Sequence, residues 1–302
     1  MKEADAAVSY EERDKNQAET LKLVFVAYFR IIKARTQHLM GAVLEGLAKY
    51  AHLINQDFFG DVLEALKDLI GDATDSLLDS GTDEDEEVPR SSRNATRESL
   101  LCIITAFALL QGQQDVAKSA NALHLDLNFF TTHLYRTLLP LSMDLDIEAG
   151  NKPVVHESDD PDAPSIATKD TKVNVSTTAV LLLRSLQAVL LPPTATKSVP
   201  PVRIAAFAKQ LLTLSLHLPQ KSAIAVLGLL QQVVKVHGNK IAALWNTEER
   251  KGDGVFDALN ASVEGSNPFA STIWEGELLR MHFDPRVREA VVGIEKGVAE
   301  VR

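Results

Sequence analysis

Apolar residues recur along this chain at three- and four-residue intervals, block after block, which is the period of amphipathic helices. The run Leu21-Lys-Leu-Val-Phe-Val-Ala-Tyr-Phe-Arg-Ile-Ile32 is apolar nearly all round. It predicts a helix from near Ala18, buried between neighbours, with Lys33 and Arg35 complementing its C-terminus. Residues 37–54 predict a second helix with Leu39, Val43, Leu47, Tyr50 and Ile54 on one face. A third follows Asn55, with Phe58, Val62, Leu66, Leu69 and Ile70 as its stripe and Asn55 or Asp57 as its cap. Joins of a few residues make these neighbours antiparallel.

Further on, helices are expected over 95–111, 115–123 and 127–141, the last carrying Leu127, Phe130, Leu134, Leu138 and Leu141. The period returns near Ser176, with Val180, Leu183, Leu186, Leu190 and Leu191 ended by Pro192-Pro193. Pro201 suits the first turn of the next helix, which runs through Ile204, Phe207, Leu211, Leu214 and Leu218 to a stop at Pro219. Residues 221–237 predict another, with Ile224, Leu227, Leu230 and Val234 facing inward and Gly238 at the C-cap. A short helix then ends at Trp245. No alternating run bounded by hairpin turns appears.

The expected fold is all-α: a HEAT- or armadillo-like helical repeat stack, with pairs of roughly 35–45 residues burying their inner faces on the next pair. A compact helical domain without repeats is the alternative. The expected division is 1–70 as N-terminal helical repeats, 71–94 as an acidic flexible loop and 95–143 as further repeats. Residues 144–175 then form an acidic flexible linker, and 176–302 a C-terminal helical domain.

Charge changes this picture in one respect. The net charge of −10 is not spread evenly. Residues 72–88 hold eight acids and no Lys or Arg, and residues 144–170 hold eight acids and two Lys. What remains has 29 basic and 25 acidic residues, so the body is close to neutral. It is not a basic nucleic-acid-binding domain by composition. No apolar stretch reaches the ~18–20 residues that would span a bilayer. The first residues, Met1-Lys-Glu-Ala-Asp-Ala-Ala, lack the apolar core of a signal peptide.

The single cysteine, Cys102, lies in Leu100-Leu-Cys-Ile-Ile104. It can form no internal disulfide, so a reducing compartment is expected. A core role is expected over that of a nucleophile, because no base lies near it in sequence. The phosphate-binding, dinucleotide-binding, G-x-S-x-G and H-E-x-x-H patterns are absent. The eight His are scattered, and the His124/His133 pair lacks the further ligands zinc requires. Gly252-Asp-Gly254 lacks the alternating carboxylates of a calcium loop and is expected to be a turn. No cofactor, metal or catalytic group is expected, and a helical enzyme using Cys102 or a His pair is an unsupported alternative.

The most informative segment is Ser271-Thr-Ile-Trp-Glu-Gly-Glu-Leu-Leu-Arg-Met-His-Phe-Asp-Pro-Arg-Val-Arg288. Trp274, Leu278 and Met281 fall at i, i+4 and i+7 of one helix face. Thr272 with Glu275 has capping-box spacing, and Asp284-Pro285 opens a last helix lined by Val287, Val291 and Ile294. Core packing of the last helix pair accounts for most of this segment. The candidate partner-binding residues are Trp274, Leu278, Met281 and Phe283, because aromatics at a surface are favoured interface anchors.

This segment, with Val202-Arg-Ile-Ala-Ala-Phe-Ala-Lys-Gln-Leu211 and Ser222-Ala-Ile-Ala-Val-Leu-Gly-Leu-Leu230, resembles the CCAAT-binding-factor-type domain of nucleolar assembly factors. Tyr28-Phe-Arg-Ile-Ile-Lys33 and Val43-Leu-Glu-Gly-Leu-Ala-Lys-Tyr-Ala-His-Leu-Ile-Asn55 narrow the resemblance to the nucleolar complex-associated protein 3 family, over roughly residues 20–295. The resemblance implies a non-enzymatic scaffold of the nucleolus and nucleoplasm, acting in maturation and transport of large-subunit preribosomes. Its implied partners are nucleolar complex protein 2 and the pre-60S particle. Contacts to rRNA or chromatin would be indirect, and neither a membrane nor a small-molecule substrate is implied. A chromatin-associated replication-licensing adaptor is the alternative from the same resemblance. Members of the family are longer and carry a basic N-terminal region, and they usually place a Leu where this chain has Gly276, which predicts a gap on one helix face.

Overall fold

A computed structural model of the chain describes residues 10–54, 58–79, 88–111, 127–144, 146–148, 176–193, 199–246 and 252–300. Among these lie ten α-helices and no strand. They are α1 (Tyr10–Lys33), α2 (Gln37–Tyr50), α3 (Phe59–Asp79), α4 (Val88–Gln111), α5 (Leu127–Ser142), α6 (Thr178–Leu190), α7 (Pro201–His217), α8 (Gln220–Ile241), α9 (Glu275–Arg280) and α10 (Pro285–Glu300).

Local chemistry sets the helix ends. The amide of Thr36 bonds to Ile31 O at 3.4 Å and that of Arg35 to Ile32 O at 3.1 Å. Arg35 takes a left-handed φ of 50° there, so α1 closes in a Schellman turn without a glycine. Thr177 caps α6 by accepting from the Val180 amide at 3.4 Å. Pro201 begins α7, and Asp284 Oδ1 accepts from the Arg286 amide at 2.8 Å as α10 starts. The first turn of α8 is capped from far away: Glu148 Oε1 accepts from the amide and hydroxyl of Ser222, at 3.0 and 2.7 Å.

The helices pack neighbour on neighbour. α4 lies at the centre of one half, against α2, α3, α5 and α6. Its residues from Leu100 to Ala106 are all buried, so this helix, apolar all round, has neighbours on every side. Thr105 ties it to α2 by donating to Leu44 O at 3.2 Å. From α6 the packing passes to α8 and then to α10, while α7 rests on α5, α8 and α9. α7 is equally enclosed: Ile204 through Leu212 are buried without a break, which carries Lys209 and Gln210 into the interior. Where α10 crosses α8, a Cβ on Gly293 would lie 2.7 Å from Gln231 Nε2, and one on Gly297 would lie 3.1 Å from Val234 Cγ1. Small residues at that crossing let the two backbones approach closely.

Several expectations are corrected. α1 buries Phe25 and Ile32 but leaves Leu23 71% exposed, because among the described residues only one side of it is covered. In α2, α3 and α6 the expected stripes hold at Val43, Leu47, Ile54, Val62, Leu66, Ile70, Leu186 and Leu190 but fail at their ends: Leu39, Tyr50, Phe58 and Val180 are exposed, and the neighbouring Met40, Phe59 and Leu181 are buried instead. α3 runs on to Asp79 and α4 starts at Val88, so helix takes both ends of the expected 71–94 loop. Leu77-Leu78 continues the apolar period, and Pro89 suits a first turn. The expected linker at 144–175 begins inside the fold, with Ile147 fully buried and its carbonyl accepting from the Ala179 amide at 3.1 Å. α8 passes through Gly238 to Ile241, since burial of His237, Ile241 and Leu244 outweighs the glycine as a stop. The helix expected over 115–123 and the caps at Asn55 and Asp57 lie outside the described residues.

Candidate docking surface

Lys209 organises the C-terminal face. It is fully buried on α7, and its Nζ donates to Thr272 O at 2.6 Å and to Glu275 Oε2 at 2.8 Å. Glu275 is buried too, and its Oε1 accepts from Thr213 at 3.1 Å. Burial pushes the Lys209 ammonium below its ordinary pKa, and Glu275 opposes that shift. Two rings close over the cation, with centroids 5.3 Å (Trp274) and 5.7 Å (Phe256) from Nζ. Glu275 therefore serves the buried pair, and Thr272 contributes its carbonyl to Lys209. No capping box forms: the helix begins at Glu275 with Trp274 in the N-cap position and no side-chain cap bond, so Thr272 lies before the cap.

The six residues of α9 turn Glu275, Gly276 and Leu279 inward. Trp274, Leu278, Met281 and Phe283 face outward, at 53, 53, 86 and 76% exposure. Core packing, expected for most of this segment, belongs to the opposite side of the same turn. The His282 and Phe283 rings lie 4.3 Å apart. Arg286 pairs with Asp284 and holds its carboxyl below the usual carboxylate range. Arg280 pairs with Glu295 and anchors α9 to α10. No gap opens at Gly276: a Cβ there would meet Glu295 Oε1 at 3.5 Å, Ile273 Cγ2 at 3.6 Å and Val291 Cγ1 at 3.8 Å.

A second outward apolar pair escaped the sequence reading. Val255 and Leu259 are 83 and 79% exposed. They flank Phe256, whose ring shares the Lys209 ammonium with Trp274, so this loop adjoins the α9 turn. The loop is pinned. Gly254 has φ 95°, Asn267 Nδ2 donates to Asp253 O at 2.7 Å, and the Asp257 amide donates to Ser266 O at 3.0 Å. Gly252 lies so close to Phe269 that a Cβ would sit 2.7 Å from its carbonyl carbon. This is the turn expected at Gly252-Asp-Gly254. Its only sequence signal was an apolar pair between glycines and acids, which fits a core strand as well.

The chemical alternatives meet physical obstacles. Cys102 is buried among Leu and Ile, and desolvation pushes its thiol far above the usual range, so it offers no thiolate. His133 stacks on Phe129, and burial with the nearby Arg136 lowers its pKa to about 4. His124 lies outside the described residues. Among the described residues no group of three His, Cys, Asp or Glu could hold a metal, and no helix is long and apolar enough to cross a membrane.

Comparison with known proteins places residues 99–291 within the model of the CBF/Mak21 family, from the middle of α4 into α10. The chain is 33% identical over 299 residues to nucleolar complex-associated protein 3 of Schizosaccharomyces pombe, covering 99% of this chain and 37% of that protein. It is 35% identical over 279 residues to the Saccharomyces cerevisiae protein of the same name, covering 92% and 38%. It is 34% identical over 289 residues to the human nucleolar complex protein 3 homolog, covering 95% and 29%. The chain thus spans well under half the length of these relatives.

Proposed function

The chain belongs to the CBF/Mak21 family, and on that premise we propose that it is a scaffold of nucleolar ribosome biogenesis, working through protein–protein contacts. The names of its relatives support the nucleolar setting. The finer reading is that it joins nucleolar complex protein 2 and the pre-60S particle, supports large-subunit maturation and transport, and moves between nucleolus and nucleoplasm. One observation carries the scaffold reading: four large apolar side chains, Trp274, Leu278, Met281 and Phe283, stand exposed on a turn that the Lys209–Glu275 and Arg280–Glu295 pairs anchor, inside the family region. A rigid platform loses little entropy when it docks, so aromatic anchors held this way convert burial into affinity.

The test is affinity capture from nucleolar extract by the chain and by a Trp274→Ala, Leu278→Ala variant. The expected result is capture of nucleolar complex protein 2 and pre-60S particles by the parent, with at least a tenfold loss in the variant (about 1.4 kcal/mol) and an unchanged melting temperature. Capture of neither by the parent overturns the proposal. Retention on chromatin after rRNA synthesis is blocked would support the replication-licensing adaptor instead.

A further inference from the structure

From Gly252 to Leu279 the chain has five acids and no Lys or Arg. One of them, Glu275, is consumed by the buried Lys209. Another, Glu264, faces Arg203, whose charge it supports. The remaining three, Asp253, Asp257 and Glu277, are exposed among the outward apolar side chains Val255, Leu259, Trp274 and Leu278. Of the exposed cations beside this face, Arg280 is engaged by Glu295 and Glu277, and Arg136 donates from its Nε to the Ala261 carbonyl at 3.3 Å. Arg286 and Arg288 lie at the far end, beside Phe283, where Arg286 pairs with Asp284 and Arg288 donates to the carbonyls of His282 and Phe283.

An apolar strip edged by more exposed carboxylates than cations repels phosphate and attracts ammonium and guanidinium groups. We infer that the face built from the 252–259 loop and the α9 turn docks a basic amphipathic segment of a protein partner, with apolar anchors on the strip and Lys or Arg against Asp253, Asp257 and Glu277. An RNA occupant does not fit these charges. The loop is held by its own hydrogen bonds and by the Gly252–Phe269 backbone approach, so both halves of the face are formed before anything binds. The partner's chemistry follows from this face, and the inference rests on the scaffold reading for there being a partner to dock.

The test places a photo-crosslinking amino acid at the position of Val255 or of Leu278 in the full 302-residue chain. After irradiation in nucleolar extract, captured peptides are sequenced by mass spectrometry. Both positions are expected to capture peptides with Lys or Arg one helical turn from apolar residues. A second chain carries Asp253→Lys, Asp257→Asn and Glu277→Lys. The Asn keeps the acceptor that holds the Leu259 amide at 3.0 Å, and the fold is checked by helicity and melting. This chain is expected to lose about tenfold in affinity for the captured peptide, and its residual binding is expected to respond less to added salt, since exposed charge pairs are screened. Crosslinks to RNA, to acidic or uncharged peptides, or to nothing would overturn the inference, as would an unchanged affinity. If the captured basic segments belong to proteins outside the nucleolus, the inference stands and the nucleolar reading falls. If preribosomes are captured while both positions stay silent, the reverse holds.

Discussion

Lys209 and Glu275 form an ion pair with both side chains buried, Nζ to Oε2 2.8 Å, joining α7 to α9 across 66 residues of sequence. Its geometry satisfies both partners, since Thr272 O takes another ammonium proton and Thr213 and the Trp274 amide take the carboxylate. Removing one partner strands a buried charge, which costs about 3–5 kcal/mol. Lys209→Met alone or Glu275→Gln alone is expected to lose that much in urea unfolding. The two together are expected to recover most of the loss, because neither charge remains. A double variant as unstable as the sum of the singles would show that the pair does not act as a unit.

His133 makes one contribution to stability pH-dependent. Its pKa falls from 6.5 to about 4 in the folded chain, chiefly by desolvation and then by Arg136. A depressed pKa means the unfolded state binds the extra proton first. The contribution is therefore complete above pH 6.5 and lost as pH falls through about 4. His133→Phe keeps the stack on Phe129 and removes the titration. The unfolding midpoint of the parent is expected to drop further than that of the variant across this window, and equal drops would contradict the assignment.

Two glycines of the C-terminal region answer oppositely to the same change. Gly252→Ala puts a methyl 2.7 Å from the Phe269 carbonyl carbon and 2.8 Å from the Ala270 amide nitrogen, both backbone atoms. It is expected to cost at least about 2 kcal/mol, as other overpacking changes do, and to free the 252–259 loop in hydrogen exchange. Gly276→Ala meets nothing nearer than 3.5 Å and lies within a helix. It is expected to stabilise by up to about 1 kcal/mol. Melting curves of the two variants should move in opposite directions.

Glu148 caps a helix that begins more than seventy residues later. Glu148→Ala deprives Ser222 of its acceptor and removes a negative charge from the α8 N-terminus, at an expected cost of about 1–2 kcal/mol. Glu148→Gln keeps an acceptor and should lose less. Thermal unfolding of both, beside a surface control at the exposed Glu289, decides the matter. Equal losses in all three would leave the cap without energetic content.

Much of this protein was legible in the linear pattern. Three- and four-residue spacing placed the long helices, and the buried stripes of α5, α7 and α10 came out as expected, including Phe130, Leu211 and Val291. Pro201 and Asp284-Pro285 marked true helix starts because a fixed φ and a side-chain acceptor act over a few residues. Which of two adjacent apolar residues turns inward, Phe58 or Phe59, Leu39 or Met40, was not legible, since the period alone leaves the phase of the stripe open by one position.

The candidate surface depended on tertiary structure for the same reason. Periodicity grouped Trp274, Leu278 and Met281 on one side of a helix, but an amphipathic helix can turn that side to the core or to solvent. The decision lies in Lys209, a charged residue inside an apolar helix, whose burial requires a carboxylate and turns Glu275, Gly276 and Leu279 inward. Local sequence thus determined that this chain is a string of helices, where most of them start and which residues could cover a core. Only the packed structure determined which side the α9 turn shows and where the stripes of α2, α3 and α6 end, because burial of a charge or a stripe end is settled by what lies across from it, at 66 or 74 residues' remove.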